Sequence, residues 1–269
     1  SAVSEIAKGS TGNKVFYAKW KPESCAVRFA ENSGTGLNLS AENALYGQQF
    51  VLTLTAQEGY TLPASVEVEM VGSSEGFYSY SNGVITISSV TGAITITANG
   101  VSKIYSVTLG EGSANVAINV SSATYGDKVE ITVTAANGYE LSSVSYTMGG
   151  GEAQTVELNG AKDEVTFTIS SVTGDIVVTA TAAAKTFKVE DNGTNISIDV
   201  LENSATFGQD FSFTIGVNKG YSLPATVTIE VGGITYTLAV GENGKVTIPA
   251  SYVTDDITIT ANGVINRYT

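Results

Sequence analysis

Hydrophobic and polar residues alternate along most of this chain with a period of two. The clearest stretch sets Val129, Ile131, Val133 and Ala135 against Lys128, Glu130, Thr132 and Thr134. That period belongs to a strand with one face buried and one face wet. The same alternation marks residues 105–109, Val116/Ile118/Val120, Val144/Tyr146/Met148, Val165/Phe167/Ile169 and Ile176/Val178/Ala180. Each run is about five to eight residues long and is bounded by turn-forming residues such as Gly149-Gly150-Gly151. No segment sustains a 3.6-residue period, so short strands are predicted throughout.

The pattern occurs three times. Tyr46-Gly47, Tyr125-Gly126 and Phe207-Gly208 open it, Gly59-Tyr60, Gly138-Tyr139 and Gly220-Tyr221 stand in its middle, and Val90-Thr91-Gly92, Val172-Thr173-Gly174 and Val253-Thr254-Asp255 begin its last strand. The Gly-Tyr marks lie 138 − 59 = 79 and 220 − 138 = 82 residues apart. Solenoid units run roughly 20–50 residues, so each copy is large enough to bury a core of its own. Phe50, Leu52 and Leu54, and Phe211, Phe213 and Ile215, keep the register of Val129, Ile131 and Val133. A slip of one residue would turn these sets to water.

Six or seven short antiparallel strands per copy predict an all-β chain of three tandem immunoglobulin-like β-sandwich domains. A β-grasp-like sheet is the alternative, and no helical stretch supplies its helix. The expected domains are 23–102, 103–183 and 184–269, with residues 1–22 a remnant of a preceding domain or a linker strand. Links of about four residues predict a fairly stiff, elongated rod. Ala261-Asn262-Gly263-Val264 repeats Ala98-Asn99-Gly100-Val101, which suggests that another domain follows. The glycine of each Gly-Tyr mark is expected at positive φ. Each following tyrosine is expected to lay its ring over the core and tie its hydroxyl to backbone, as a tyrosine corner does.

Composition narrows the function classes. Charged residues make up 14% of the chain, below the roughly 25% of average globular domains. Thr, Ser and Gly replace them, as suits exposed sheet. The net charge of −13 repels phosphate backbones and anionic lipid, so nucleic-acid binding is not expected, and no stretch approaches the ~18 consecutive apolar residues of a membrane span, so membrane insertion is not expected either. Acidic balance of this kind chiefly serves solubility, and a monomer is expected. With one cysteine, Cys25, no intrachain disulfide can form. Cys25 aligns with Tyr105 and Phe187 on an inward face, which makes it a buried structural thiol. The chain has no histidine, which excludes a Ser-His-Asp or Cys-His site made from its own residues. No enzyme activity, cofactor or metal is expected.

Two resemblances add to this. Residues 5–20, with a Gly9-to-Gly12 turn followed by Tyr17-Ala18-Lys19-Trp20, resemble the closing segment of a Listeria–Bacteroides (internalin B-type) repeat. Residues 23–264 are similar to Ig-like modules found in tandem in large surface proteins of Gram-positive gut bacteria. The words that carry this are Tyr-Gly (46–47, 125–126), Gly-Tyr-x-Leu (59–62, 138–141, 220–223), Met-Gly-Gly (148–150) and Val-Thr-Gly-x-Ile (90–94, 172–176). The resemblance implies an extracellular, cell-wall-associated or secreted protein with adhesive or spacer domains and no catalytic residues. The alternatives are a carbohydrate-binding module for dietary polysaccharide or mucin, and a binder of a host or cell-surface protein such as immunoglobulin.

The candidate ligand-binding residues are aromatic. Phe77-Tyr78-Ser79-Tyr80 forms a cluster in a Ser/Gly-rich hairpin that the other copies lack. With Phe77 inward, Tyr78 and Tyr80 would be exposed and could stack on a sugar ring; ordinary cross-strand packing is the competing reading. Trp20 could bind ligand or anchor the N-terminal segment on the first repeat. A Lys188–Asn262 isopeptide crosslink would need both side chains buried, and alternation turns Lys188 outward. Asp255-Asp256 and Glu190-Asp191-Asn192 are the best calcium candidates, although turn acids ordinarily bond their own backbone.

Overall fold

The computed structural model describes residues 8–9, 11–13, 21–160, 162–200 and 202–267. The chain divides into two compact units, Ser1–Lys103 and Ile104–Thr269. The first holds one β-sandwich and the second holds two.

In the first unit the strands are β1 (Ser24–Phe29), β2 (Leu37–Leu39), β3 (Asn43–Leu45), β4 (Phe50–Ala56), β5 (Tyr60–Thr61), β6 (Glu67–Met70), β7 (Tyr78–Ser81), β8 (Val84–Ile87), β9 (Ile94–Thr97) and β10 (Val101–Ser102). One sheet has the order β3-β1-β9-β6 and the other β2-β4-β8-β7, while β5 and β10 pair separately. Alternation decides the packing. Val27, Val68, Met70, Ile94 and Ile96 from the first sheet meet Leu37, Leu52, Leu54, Ile85 and Ile87 from the second in one buried cluster. Cys25 is in that cluster, on the inward face of β1.

The second unit continues with β11 (Ile104–Leu109), β12 (Val116–Ile118), β13 (Ser122–Thr124), β14 (Val129–Ala135), β15 (Tyr139–Met148), β16 (Gln154–Val156), β17 (Glu164–Ile169) and β18 (Ile176–Ala184). Its second sandwich comprises β19 (Thr186–Thr194), β20 (Ile196–Asp199), β21 (Ser204–Thr206), β22 (Phe211–Val217), β23 (Tyr221–Ser222), β24 (Thr226–Val231), β25 (Ile234–Ala239), β26 (Lys245–Ile248), β27 (Ile257–Asn262) and β28 (Val264–Ile265). The sheet orders are β13-β11-β18-β15-β16 over β12-β14-β17, and β21-β19-β27-β24-β25 over β20-β22-β26. Each pair encloses its own core. The protein is thus all-β, with three tandem immunoglobulin-like sandwiches. The only helical turn among the described residues is a 3-10 turn at Ala250–Tyr252, so nothing supplies a β-grasp helix.

Two features depart from the expected pattern. First, the strands are not all antiparallel. The first strand of each sandwich runs parallel to the last strand of its main sheet (β9, β18 and β27), with Val27 opposite Ile94, Val107 opposite Ile176 and Val189 opposite Ile257. Parallel neighbours need a long crossover, and here the rest of the repeat provides it.

Second, the hairpin strand before the penultimate strand changes sheet. β7 pairs with β8 in the second sheet, whereas β16 and β25 pair with β15 and β24 in the first. The turns show why. Asn82 and Gly83, at φ 48° and 83°, form a two-residue turn that joins β7 to β8. Gly232 and Gly233, at φ 54° and 80°, do the same between β24 and β25. Such turns fit the twist of tightly paired strands, so each fixes which neighbour its strand takes. The second repeat has both kinds, Gly149-Gly150 before and Asn159-Gly160 after, and its short β16 goes to β15.

Candidate functional site

The sheet change gives the first sandwich a feature that the other two lack. With β7 in the opposite sheet, β6 is the bare edge of the β3-β1-β9-β6 sheet among the described residues. In the sister sandwiches the equivalent strands, β15 and β24, are covered by β16 and β25. The Val71 amide donates to the Ala93 carbonyl. By alternation, the Glu67 and Glu69 backbones turn toward β9, and those of Val68 and Met70 turn outward. Ser73 donates to the Met70 carbonyl. Among the described residues, no strand lies beside the Val68 amide and carbonyl or the Met70 amide.

Tyr78 and Tyr80 close the interior behind this edge. They lie opposite Ile87 and Ile85, both fully buried, and share that inward side. Their rings are half-buried against the core. The Tyr78 hydroxyl donates to the Val66 carbonyl at 3.0 Å, and the Tyr80 hydroxyl to the Pro63 carbonyl at 2.8 Å. This is the packing reading of the hairpin, and it departs from the sugar-stacking alternative in which both tyrosines would project into solvent. Phe77 precedes the strand and packs tilted against Tyr78, ring centroids 5.3 Å apart. It therefore does not set the inward face of β7. The rings bridge the open side of the sandwich, where Tyr236 and Leu238 of β25 pack in the third repeat. Between β6 and the loop before β7 lies a cleft of about 590 Å³, lined by Glu67–Met70 and residues 73–78, with Glu67, Glu69 and Glu75 as its charged groups.

The Gly-Tyr marks have a different job from the one expected. Gly59, Gly138 and Gly220 have φ of 78°, 83° and 90°. Their carbonyls accept from the amides of Lys103, Lys185 and Asn266, the residues that follow β10, β18 and β28 as the chain leaves each repeat. Each mark therefore holds the chain as it leaves its repeat. Tyr60, Tyr139 and Tyr221 are half-buried at this exit and are not part of the three cores, which corrects the expected ring placement. Tyr60 lies over Gly36, where a Cβ would collide with its ring, and a Cβ at Gly100 would press on the Gly36 carbonyl and on Tyr60.

Within the second unit this exit becomes a joint. Lys185 is the one residue between β18 and β19. Its amide donates to Gly138, and its carbonyl accepts from Phe207 of the third repeat. The Phe207 ring covers Gly138, where a Cβ would fall within it. Ion pairs Lys185–Asp163 (2.7 Å) and Lys162–Glu140 (2.9 Å) flank the joint. The bond to Glu140 and its charge raise the pKa of Lys162 above the ordinary lysine value.

The remaining candidates resolve as structure. The Lys188 side chain is exposed and bonds Glu190, which raises the lysine pKa and lowers the glutamate's. Its amide donates to Asp256, six positions from Asn262 along β27, or roughly 20 Å. An isopeptide partnership is therefore excluded. Asp256 caps the first strand of its repeat, and Asp175 does the same in the second, accepting from the Ser106 amide (2.7 Å) and hydroxyl (2.9 Å). Those bonds, the amide's first, hold the Asp175 pKa below the usual value. Asp255 accepts from the Asp256 amide. Among the described residues no three Cys, Asp or Glu side chains are grouped to hold a metal ion, and no helix is long and apolar enough to cross a membrane. Gly9 and Gly12 both have positive φ, while Tyr17, Ala18, Lys19 and Trp20 lie outside the described residues. Sequence reasoning missed the bare edge at Glu67–Met70, and the signal that could have found it is Asn82-Gly83.

No family model matches the chain, and no curated protein matches it. Among solved structures, it is similar to a 1.5-MDa bacterial ice-binding adhesin studied for retention at the host cell surface. The identity is 13%, over 82% of this chain and 90% of that one, with a TM-score of 0.16. A Ca2+-stabilized adhesin with which an Antarctic bacterium binds ice matches at 15% identity, over 82% and 69%, with a TM-score of 0.17. The FN1–FN3 domains of chicken CNTN1 match at 10%, over 87% and 98%, with a TM-score of 0.15.

Proposed function

We propose that this chain is a non-catalytic adhesion and spacer module of a bacterial cell-surface protein, made of repeats at 23–102, 103–183 and 184–269. One observation carries the reading. In every repeat the first and last strands are parallel neighbours in one sheet. Tension applied through the two ends of a repeat slides such strands along each other. All their hydrogen bonds then resist together, instead of opening one at a time as in a peeled hairpin. The arrangement suits a chain that holds a binding domain away from a surface under load.

Two further observations support it. The amide of the residue leaving each repeat is bonded to that repeat's own Gly-Tyr carbonyl, so the exit is anchored to the sandwich, and in the second repeat Lys185 alone then separates β18 from β19. The acidic, charge-poor surface suits a solvated extracellular segment. The resemblance of residues 23–264 to tandem surface modules supports a Gram-positive, cell-wall-associated setting. The chain acts as a monomeric segment, and its partners are extracellular glycans or proteins. Stretching the chain by its ends tests the reading: three separate resisting events are expected, and smooth extension at low force would overturn it.

A further inference from the structure

We propose that the Glu67–Met70 edge of the first sandwich binds an extended segment of a partner protein as an added antiparallel strand, and that this segment alternates basic with apolar side chains. The proposal takes its extracellular setting from the spacer reading, but strand binding succeeds or fails independently of how the sandwiches bear force.

The sister repeats show what belongs at this edge. In the third, β25 lies antiparallel to β24 with Tyr236 opposite Ile229 and Leu238 opposite Val227. In the second, β16 lies against β15 with Val156 opposite Val144. The parallel partner strand places Met70, Met148 and Val231 in register, each level with the first residue of the last strand. Val68 is therefore the counterpart of Ile229 and Tyr146. An added strand would find the Val68 amide and carbonyl and the Met70 amide turned toward it, with the spacing of a ladder already used twice in this chain.

Charge and shape define the added strand. Side chains of one face would meet Glu67 and Glu69, which are exposed. Those of the other face would meet Val68 and the cleft bounded by Phe77 and Tyr78. The first face wants Lys or Arg, because opposite charges directly across a strand pair attract and like charges repel. The same glutamates disfavour a second copy of this chain at the edge, since two β6 strands would bring carboxylates together. The Tyr78 hydroxyl already occupies the Val66 carbonyl, so the added strand registers on Val68 and Met70 and ends short of Val66.

The test uses the full, isotope-labelled chain and a capped peptide of about eight residues alternating lysine and valine. The expected result is saturable binding with amide shifts centred on Val68 and Met70. N-methylation of the peptide amides on one edge should weaken it at least tenfold. A glutamate–valine peptide should not bind. The pair Glu67→Gln and Glu69→Gln should weaken the lysine peptide about three- to tenfold. Absence of binding overturns the proposal. So does binding that survives N-methylation, shifts centred elsewhere, or concentration-dependent dimerisation through β6 in place of peptide binding. If the glutamine variant is unstable, the N-methylated peptide on the unaltered chain still decides.

Discussion

Phe207 stands edge-on to Tyr139, with ring centroids 5.7 Å apart and planes at 70°, and so joins the third sandwich to the second. The contact works because residue 138 is glycine: a side chain there would occupy the space of the Phe207 ring and would be strained at φ 83°. Phe207→Ala should cost about 1–3 kcal/mol, less than a fully buried phenylalanine because the ring is half-exposed. Gly138→Ala should cost at least as much. Residual dipolar couplings provide the check. Repeats two and three should share one alignment tensor in the unaltered chain and lose it in either variant.

Tyr78 and Tyr80 are predicted to matter for stability. Each Tyr→Phe change removes one hydroxyl-to-carbonyl bond and should cost about 0.5–1.5 kcal/mol. The double alanine variant should cost about 3–6 kcal/mol, since it also opens the core behind β6. Thermal unfolding reads this directly. A melting temperature unchanged by double alanine substitution would mean that the rings project into solvent after all.

Acid should loosen the first strand of the second repeat. The folded pKa of Asp175 is lowered by the bonds from Ser106. Its contribution is therefore complete above the ordinary Asp value of about 3.9 and is lost as pH falls through the folded value. Denaturant unfolding between pH 6 and 2 should show a fall in this window that Asp175→Asn reduces. An undiminished fall in the variant would assign the acid sensitivity to other carboxylates.

Lys188 is predicted to remain a free amine. Its exposed ammonium is paired with Glu190 and lies far along the sheet from Asn262. Intact mass should equal the sequence mass, with no loss of ammonia. A deficit of one ammonia would show a Lys–Asn crosslink.

The sandwich class, the three cores and the inward position of Cys25 were legible because alternation places every apolar set on one face. Leu52, Ile131 and Phe213 are buried where the pattern puts them. Pairing partners were less legible, because alternation says which way a side chain points but not which strand lies alongside. The parallel first and last strands illustrate this: Val27 and Ile94 carry the same pattern whether their strands run parallel or antiparallel. The sheet change at β7 was readable in principle from Asn82-Gly83 against Gly232-Gly233. Treating Phe77 as the inward residue reversed Tyr78 and Tyr80. The exit bonds of Gly59, Gly138 and Gly220 join residues more than forty positions apart, and no local pattern announces them.

Pulling the chain by its two ends in a force spectrometer tests the central claim most directly. Three separate events are predicted, each releasing roughly 250 Å of chain. The third repeat should resist most, because its parallel pair runs from Val189 to Thr194 whereas the others span three residues. Attachment at Val71 and Gly92, where β6 would be peeled from β9, should unfold the first repeat at markedly lower force than its ends do. Equal forces in the two geometries, or extension without resolved events, would contradict the spacer account.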